Sequence, residues 1–368
     1  MTVRPDAAFF PSGDLKTRLH FHRTATDALS KLLTTPWTLV SSAGGKRRLD
    51  SLGTLRTVPA PSEVVIVPSG LLTLADLRQA WQPGPPCVVA IGAGSVLDAG
   101  KLVRLANSLG HFPDDRRDWT IGDETTKASL ICIPTTAGSG AELTATSSLW
   151  EGGKKSSIDG PSLRPSDAIY DSSLLLSAGQ EIRTAALWDA TTHALEAMWS
   201  RHATQASDDY ASFALRTIAD TLRREAGPTD NALGVLSLAS AAAGAAITVT
   251  RTGIAHALSY PLTARHGVRH GLAAGIFGVA TAGLLTEFAP ERAARIGRAL
   301  RAPIAILEEF WRTTGANAMV ADLLTGDALQ AQAETRLDPQ RANLSVIPPE
   351  RGIVRAICDR AATIGIRS

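Results

Sequence analysis

Two continuous apolar runs, Cys87–Ile91 (CVVAI) and Leu130–Ile133 (LICI), constrain this chain more than any other feature. A run that is apolar at every position, rather than every second one, is a strand buried on both faces. Such strands belong to parallel sheets covered by helices on each side. Each run leads into a glycine-rich turn. Gly92-Ala93-Gly94-Ser95 opens the helical pattern SVLDAGKLVRLANSL, and Thr135-Thr136-Ala137-Gly138-Ser139-Gly140 follows Pro134. The flanking sequence repeats the alternation. An edge strand is expected at Leu15–His22, a helix at Thr24–Leu33, strands at Trp37–Ser41 and Val64–Val67, and a helix at Leu72–Trp81. Strands alternating with helices predict a right-handed, parallel α/β sheet.

From about Ser173 the strand pattern stops. Helical patterns fit Ile182–Ser200, Asp208–Arg224, Ala232–Thr250, Leu272–Leu285, Glu291–Leu300, Ile304–Thr313, Met319–Leu329 and Gly352–Ile364. The expected organisation is an α/β nucleotide-binding domain over residues 1–175 and an all-helical domain over 176–368, and 368 residues suffice for both. The most polar part, Met319–Asn343, is expected to be a mobile helix or lid.

Composition narrows the partners. Hydrophobic content of 44% and charged content of 20% are those of an ordinary globular enzyme, and a net charge of +2 gives no attraction for nucleic acid or a membrane surface. The longest apolar candidate, Ala239–Val249, falls short of the roughly 20 residues that cross a bilayer and reads as a buried helix. The start, MTVRPDAAFFPSGD, lacks the apolar core of a secretion signal. Cys87, Cys132 and Cys358 are scattered and read as reduced core thiols, so a cytoplasmic location is expected.

The chemistry-bearing residues lie in two groups. In WDATTHALE, Asp189 and His193 are four apart, which places both on one helix face. Further on, Gly253–Ile276 carries His256, His266 and His270 in apolar helical sequence. One carboxylate and up to three imidazoles suit a divalent transition metal, Fe(II) or Zn(II) before Mg or Ca. The same residues also read as an exposed polar pair and hydrogen-bonded core histidines. Convergence of His256 and His270 needs a turn, which Pro261–Arg265 is expected to supply. The second group is the pair of glycine-rich turns. Glycine lets backbone approach a ligand, and a helix N-terminus offers N–H groups to a phosphate, with Ser95 as a cap or a donor. Tight packing turns look alike, but two such loops at the C-terminal ends of strands occupy the ligand-binding edge of an open α/β sheet.

The order of these motifs resembles the iron-containing alcohol dehydrogenases. Gly92–Lys101 (GAGSVLDAGK) is similar to that family's GGGSxxDxAK, Pro134–Thr144 (PTTAGSGAELT) to its PTTAGTGSEVT, and Asp189–Glu196 (DATTHALE) to its DALTHAIE. His256–Gly271 is similar to its paired-histidine segment, with RHG for PHG. The resemblance implies an α/β N-terminal dinucleotide-binding domain plus an all-helical C-terminal metal-binding domain, a plan shared with dehydroquinate synthase. It implies metal ligation by Asp189, His193, His256 and His270. For the nucleotide it implies contacts from the turn Gly92-Ala93-Gly94-Ser95, from Thr135, Thr136 and Ser139, and from Lys155. Asp98 and Lys101 match its characteristic Asp and Lys beside the nucleotide and the active-site cleft.

The departures are informative. Tyr260 stands where the family usually has a further histidine thought to assist proton transfer. A phenol donates a proton but is a poor base near neutral pH, and His266 is expected as an alternative relay. Leu187 replaces the glycine before the helical Asp motif. Ser42 occupies the place, after the first strand of the sheet, where NAD-preferring members often carry an acid, and Lys46, Arg47 and Arg48 lie closer than Asp50. That pattern favours NADP(H) over NAD(H). HALSYPLTARHGVRHG resembles the phosphonoacetaldehyde reductase branch, and related dehydrogenases act in natural-product maturation. The implied activity is a metal-dependent NAD(P)(H) alcohol dehydrogenase or aldehyde reductase, acting on a small aldehyde or alcohol or on a modified peptide such as one ending in threonine. The alternatives are a dehydroquinate-synthase-like lyase, a glycerol-1-phosphate-type dehydrogenase and a degenerate cofactor-binding scaffold. A sheet edge near the N-terminus makes a homodimer the expected assembly.

Overall fold

The computed structural model describes residues 10–11, 15–21, 24–33, 36–53, 55–114, 119, 128–324, 327–334 and 337–366. The chain divides into two compact units, Asp14–Ser177 and Ala178–Ser368, the latter taking in Met1–Gly13 as well. Phe10 explains part of that grouping, because its ring lies 5.6 Å from Tyr210 and 6.0 Å from Phe213.

The first unit holds strands β1 (Arg18–Phe21), β2 (Thr38–Ser42), β3 (Glu63–Val67), β4 (Val88–Gly92), β5 (Leu130–Pro134), β6 (Thr146–Glu151), β7 (Lys154–Asp159) and β8 (Asp167–Tyr170). Its helices are α1 (Ala25–Leu32), α2 (Ala43–Leu52), α3 (Leu74–Ala80), α4 (Gly94–Leu109) and α5 (Ser172–Leu175). Six strands form one parallel sheet in the order β1-β8-β5-β4-β2-β3, and β6 and β7 make a separate antiparallel hairpin. Every residue of β4 and β5 is buried, as their unbroken apolar runs require. Alternate residues serve two cores. Val88, Ala90, Leu130 and Cys132 pack with Leu77 of α3 and Leu97 and Leu102 of α4, whereas Val89, Ile91, Ile131 and Ile133 pack with Leu29 of α1 and Leu49 of α2. Each buried Val, Leu or Ile among them contributes about 1.5–3 kcal/mol on leaving water.

Two elements differ from the sequence expectation. The four-residue β8 sits between β1 and β5 and opens with Asp167, a buried acid that breaks the apolar signature. That carboxylate accepts from Arg18 Nε and Nη2 at 2.9 and 2.8 Å and stands 2.7 Å from His20 Nε2, so the neighbouring strand supplies its counter-charge and its polar partners. The stretch after β2, given no element from the sequence, forms α2, capped by Ser42 and ended by Gly53 in the left-handed region. His22, the last residue of the expected edge strand, lies outside the described residues.

The second unit is built from α6 (Gln180–Met198), α7 (Gln205–Leu222), α8 (Leu233–Thr250), α9 (Ile254–His266), α10 (His270–Phe288), α11 (Pro290–Leu300), α12 (Ile306–Thr313), α13 (Ala316–Leu324), α14 (Asp327–Ala333), α15 (Pro339–Ala342) and α16 (Arg351–Ile366). The apolar segment expected at Ala239–Val249 is part of the longer α8. By length and composition both α8 and α10 match a membrane span, but 78% and 72% of their apolar windows are buried inside the fold, which accounts for the composition. A row of glycines lets α10 lie directly on α6. A Cβ on Gly271 would meet the Ala185 carbonyl oxygen at 1.9 Å, and one on Gly275 the Trp188 side chain at 2.8 Å.

The turn expected at Pro261–Arg265 lies elsewhere. Pro261 does not make a turn, since α9 runs through it; the chain reverses at Gly267, where φ is +68°. The polar stretch expected as a mobile helix or lid forms α13, α14 and α15 among the described residues, with hydrogen bonds to its neighbours. Buried Gln332 donates to the Leu258 carbonyl at 2.9 Å, and Arg341 Nη1 donates to Thr252 Oγ1 at 2.8 Å.

Candidate metal centre and nucleotide site

α6 presents Asp189, His193 and Glu196 at i, i+4 and i+7, and all three are buried. α9 contributes His256 from its first turn, and α10 starts at His270. Ligand atoms of Asp189, His256 and His270 all lie within 4.8 Å of one another. Asp189 Oδ1 is 3.4 Å from His256 Nε2 and 3.7 Å from His193 Nε2. The His193 and His256 rings stack with centroids 4.7 Å apart, and the His256 and His270 rings meet edge to face at 5.3 Å. His193 thus adjoins a compact trio rather than completing it.

Hydrogen bonding fixes which ring nitrogens face inward. Glu196 accepts from Nδ1 of His256 at 2.8 Å, which leaves Nε2 toward Asp189. Ser259 Oγ donates to the His256 carbonyl at 2.8 Å, so at 3.4 Å from His270 Nδ1 it accepts, and Nε2 of His270 keeps its lone pair. The buried charges compensate one another. Burial opposes charge on Asp189, but His193 and His256 hold its carboxyl well below the usual carboxylate range. Burial also opposes charge on His256, and Glu196 and Asp189 overcome it, pushing the imidazole up to about 9. A buried carboxylate grouped with the imidazole nitrogens of His256 and His270, with His193 alongside, fits a divalent ion bound by oxygen and nitrogen at about 2.0–2.2 Å.

Of the two residues expected to relay protons, the structure brings one close. The Tyr260 ring stacks 5.8 Å from His270. His266 lies exposed in the last turn of α9. Ten residues separate it from His256, about 15 Å of helix at 1.5 Å per residue, which carries it away from the cluster. Glu196 was visible in DATTHALE as the i+7 partner of Asp189, but its target lies 60 residues downstream and no local pattern reveals it.

In the α/β unit, β2 leads through α2 outward to β3, whereas β4 leads through α4 the other way to β5. The C-terminal ends of β2 and β4 therefore form a topological switch point, the ligand crevice of an open sheet. Ser42 ends β2 and caps α2 by accepting from the Gly45 N–H at 3.1 Å. Gly92 ends β4, and Ala93, the N-cap of α4, provides no side-chain acceptor to the helix. Ser95 does not cap α4; its hydroxyl accepts from the Gly70 N–H at 3.3 Å. The two glycine-rich loops are neighbours. Thr135 N–H donates to the Gly92 carbonyl at 2.9 Å, and a Cβ on Gly94 would meet Ser139 at 2.8 Å. Bare backbone at the start of a 16-residue helix, against a second loop bearing Thr135, Thr136 and Ser139, fits a phosphate.

Asp98 and Lys101 serve the fold itself. Lys101 is fully buried and donates to Asp98 Oδ1 at 2.8 Å, Thr144 Oγ1 at 3.0 Å and the Thr146 carbonyl at 2.5 Å. The second Asp98 oxygen accepts from Ser148 N–H at 2.9 Å. Together they tie α4 to β6. Lys155 sits on β7 opposite Trp150.

Comparisons with known proteins agree with this geometry. The model of the iron-containing alcohol dehydrogenase family matches residues 72–172, and that of the family's C-terminal region matches residues 184–337, together about two thirds of the chain. The chain is 36% identical to the phosphonoacetaldehyde reductase of Streptomyces viridochromogenes over 51% of its own length and 50% of that protein. It is 32% identical to the probable alcohol dehydrogenase EutG of Escherichia coli over 71% of its length and 66% of that protein. The matched stretch thus spans half to two thirds of these relatives. Among solved structures, the sulfoacetaldehyde reductase of Bifidobacterium kashiwanohense in complex with NAD+ shares the fold. The TM-score is 0.80 at 23% identity, over 96% of this chain and 98% of that one. By its two matched regions and the order of its motifs, the chain belongs to the iron-containing alcohol dehydrogenase family.

Proposed function

We propose that this chain is a metal-dependent, nicotinamide-linked alcohol dehydrogenase or aldehyde reductase, with Asp189, His193, His256 and His270 holding the metal. The observation that carries the reading is the trio of buried Asp189, buried His256 and half-buried His270, whose ligand atoms lie within 4.8 Å. A divalent ion there supplies Lewis acidity toward the substrate oxygen, and a bound nicotinamide supplies or accepts the hydride. The chain's own residues do the rest. Gly92–Ser95 and Thr135–Ser139 hold the pyrophosphate by backbone N–H groups and hydroxyls. Tyr260, beside His270, donates the proton that a nascent alkoxide needs; the exposed His266 has no part in it.

The favoured nucleotide is NADP(H). No carboxylate ends β2, where Ser42 stands, and Arg47 and Arg48 follow in α2, although Lys46 is engaged by Asp50 at 2.7 Å. The favoured substrate is a small anionic aldehyde. The phosphonoacetaldehyde and sulfoacetaldehyde reductases both carry, by name, a two-carbon aldehyde with an anionic head, which motivates that class.

The test is nicotinamide turnover by anaerobically metal-loaded protein. Fe(II) and Zn(II) are crossed with NADPH and NADH over phosphonoacetaldehyde, simple aldehydes and a peptide ending in threonine. Oxidation of NADPH by the anionic aldehyde, lost on chelation, is the expected result. Turnover that survives chelation refutes the metal reading. Turnover with the peptide alone refutes the small-substrate reading.

A further inference from the structure

We propose that Glu196 is a positioning residue for the metal centre: from outside the ligand set, it locks His256 as the Nδ1–H tautomer and anchors the start of α9. The inference rests on the metal reading above and adds to it a residue that holds no ion itself. Glu196 is 1% exposed, and its partners are all N–H donors. Oε2 accepts from Gly253 N–H at 2.6 Å and from His256 Nδ1 at 2.8 Å. Oε1 accepts from Ala255 N–H at 2.7 Å and from His256 N–H at 3.3 Å.

Two consequences follow from that donor set. First, α9 begins at Gly253, which has no side chain to cap it, and Glu196 supplies the missing acceptor from α6. The backbone of His256 is therefore held by the helix that carries Asp189 and His193. Secondly, Glu196 holds the His256 ring at Nδ1, while Nε2 is turned toward Asp189, 3.4 Å away. A proton fixed on Nδ1 leaves Nε2 as the only ligating nitrogen, and the negative partner raises its basicity. An amide cannot replace the carboxylate. Whichever way Gln is turned, its NH2 faces two N–H donors.

The test uses Co(II) as the probe, with affinity read by competition against a chelator and melting of the metal-free protein followed by circular dichroism. The variants are Glu196→Gln and Arg341→Ala. The second removes the bond from Arg341 to Thr252 and loosens the same loop without touching a ring nitrogen. The native chain is expected to bind one equivalent. Glu196→Gln should bind about 10- to 100-fold more weakly, as loss of such a partner does elsewhere. Arg341→Ala should melt lower yet bind within about threefold of native, a margin of under 1 kcal/mol.

Affinity of Glu196→Gln within that same margin of native overturns the proposal, as does an equal loss in Arg341→Ala, which would reduce Glu196 to a loop support. If Glu196→Gln does not fold, Glu196→Asp carries the test. Its shorter carboxylate should lower affinity measurably, and native affinity there overturns the proposal too. A native chain that takes up no Co(II) removes the metal reading itself, an outcome distinct from binding that ignores Glu196.

Discussion

Gly271→Ala perturbs the metal centre without altering any ligand. The added Cβ would stand 1.9 Å from the Ala185 carbonyl oxygen and 2.9 Å from the Asp189 Cβ, where real Cβ contacts below 3.0 Å essentially never occur. The obstacle is backbone, so α10 must move away from α6 by about 1 Å to regain van der Waals separation. Overpacking costs about 1–3 kcal/mol, and a clash with backbone belongs at the upper end. Alanine returns about 1 kcal/mol of helix propensity, which leaves a net loss of about 2 kcal/mol. For a unit of this size that is a fall of roughly 4–8 °C in melting temperature. His270 adjoins Gly271 and moves with it, so its nitrogen withdraws from Asp189 and metal affinity falls at least tenfold. Gly352→Ala is the control. It lies in α16 with nothing within 4 Å of the added Cβ, and should be neutral or stabilising. Thermal melts and Co(II) titration of both variants decide the matter. Native melting and native affinity in Gly271→Ala would show that the α6–α10 spacing does not set the position of His270.

Removing Lys101 with Lys101→Ala leaves Asp98 buried beside Ser148 alone, and urea unfolding should show a loss of about 3–5 kcal/mol. Glu142 reports on pH. Burial raises its carboxyl above the usual range, against the opposing hydrogen bond from Tyr170. The folded state therefore holds the proton more tightly than the unfolded chain. The stability this contributes is present below the ordinary carboxylate range and is lost as pH rises through the folded value. Glu142→Gln should flatten that slope relative to native above the ordinary carboxylate range in urea unfolding, and an unchanged slope would contradict the assignment. Tyr260→Phe should lower kcat at least tenfold with little change in Co(II) affinity; unchanged turnover would exclude the phenol as proton donor.

Much of the α/β unit was legible because burial on both faces writes a strand as an unbroken apolar run, as in Val88–Gly92 and Leu130–Pro134. Asp167 hid β8, since its compensation by Arg18 and His20 comes from a strand 149 and 147 residues away. In the helical unit, spacing marked Asp189 and His193 as a face. Pro261 disguised α9, because a proline in the eighth position of a helix reads locally as a break. Which histidine joins the cluster depended on where that helix ends. Its true end at Gly267 places His270 at the head of α10 and leaves His266 outside.

The position of β1 also bears on how the molecule is made. β1 pairs with β8 alone in the sheet order, and Arg18 meets Asp167 across 149 residues of chain. Closing a loop of that length costs about 4 kcal/mol in chain entropy. At a synthesis rate of about 5–20 residues per second, β1 leaves the ribosome roughly 7–30 s before its partner in the described sheet exists. Through that interval RLHF is a naked edge, and what discourages it from pairing with another chain is the charge on Arg18 and the polarity of His20. The residues that later pair with Asp167 thus act first as guardians of an unfinished sheet.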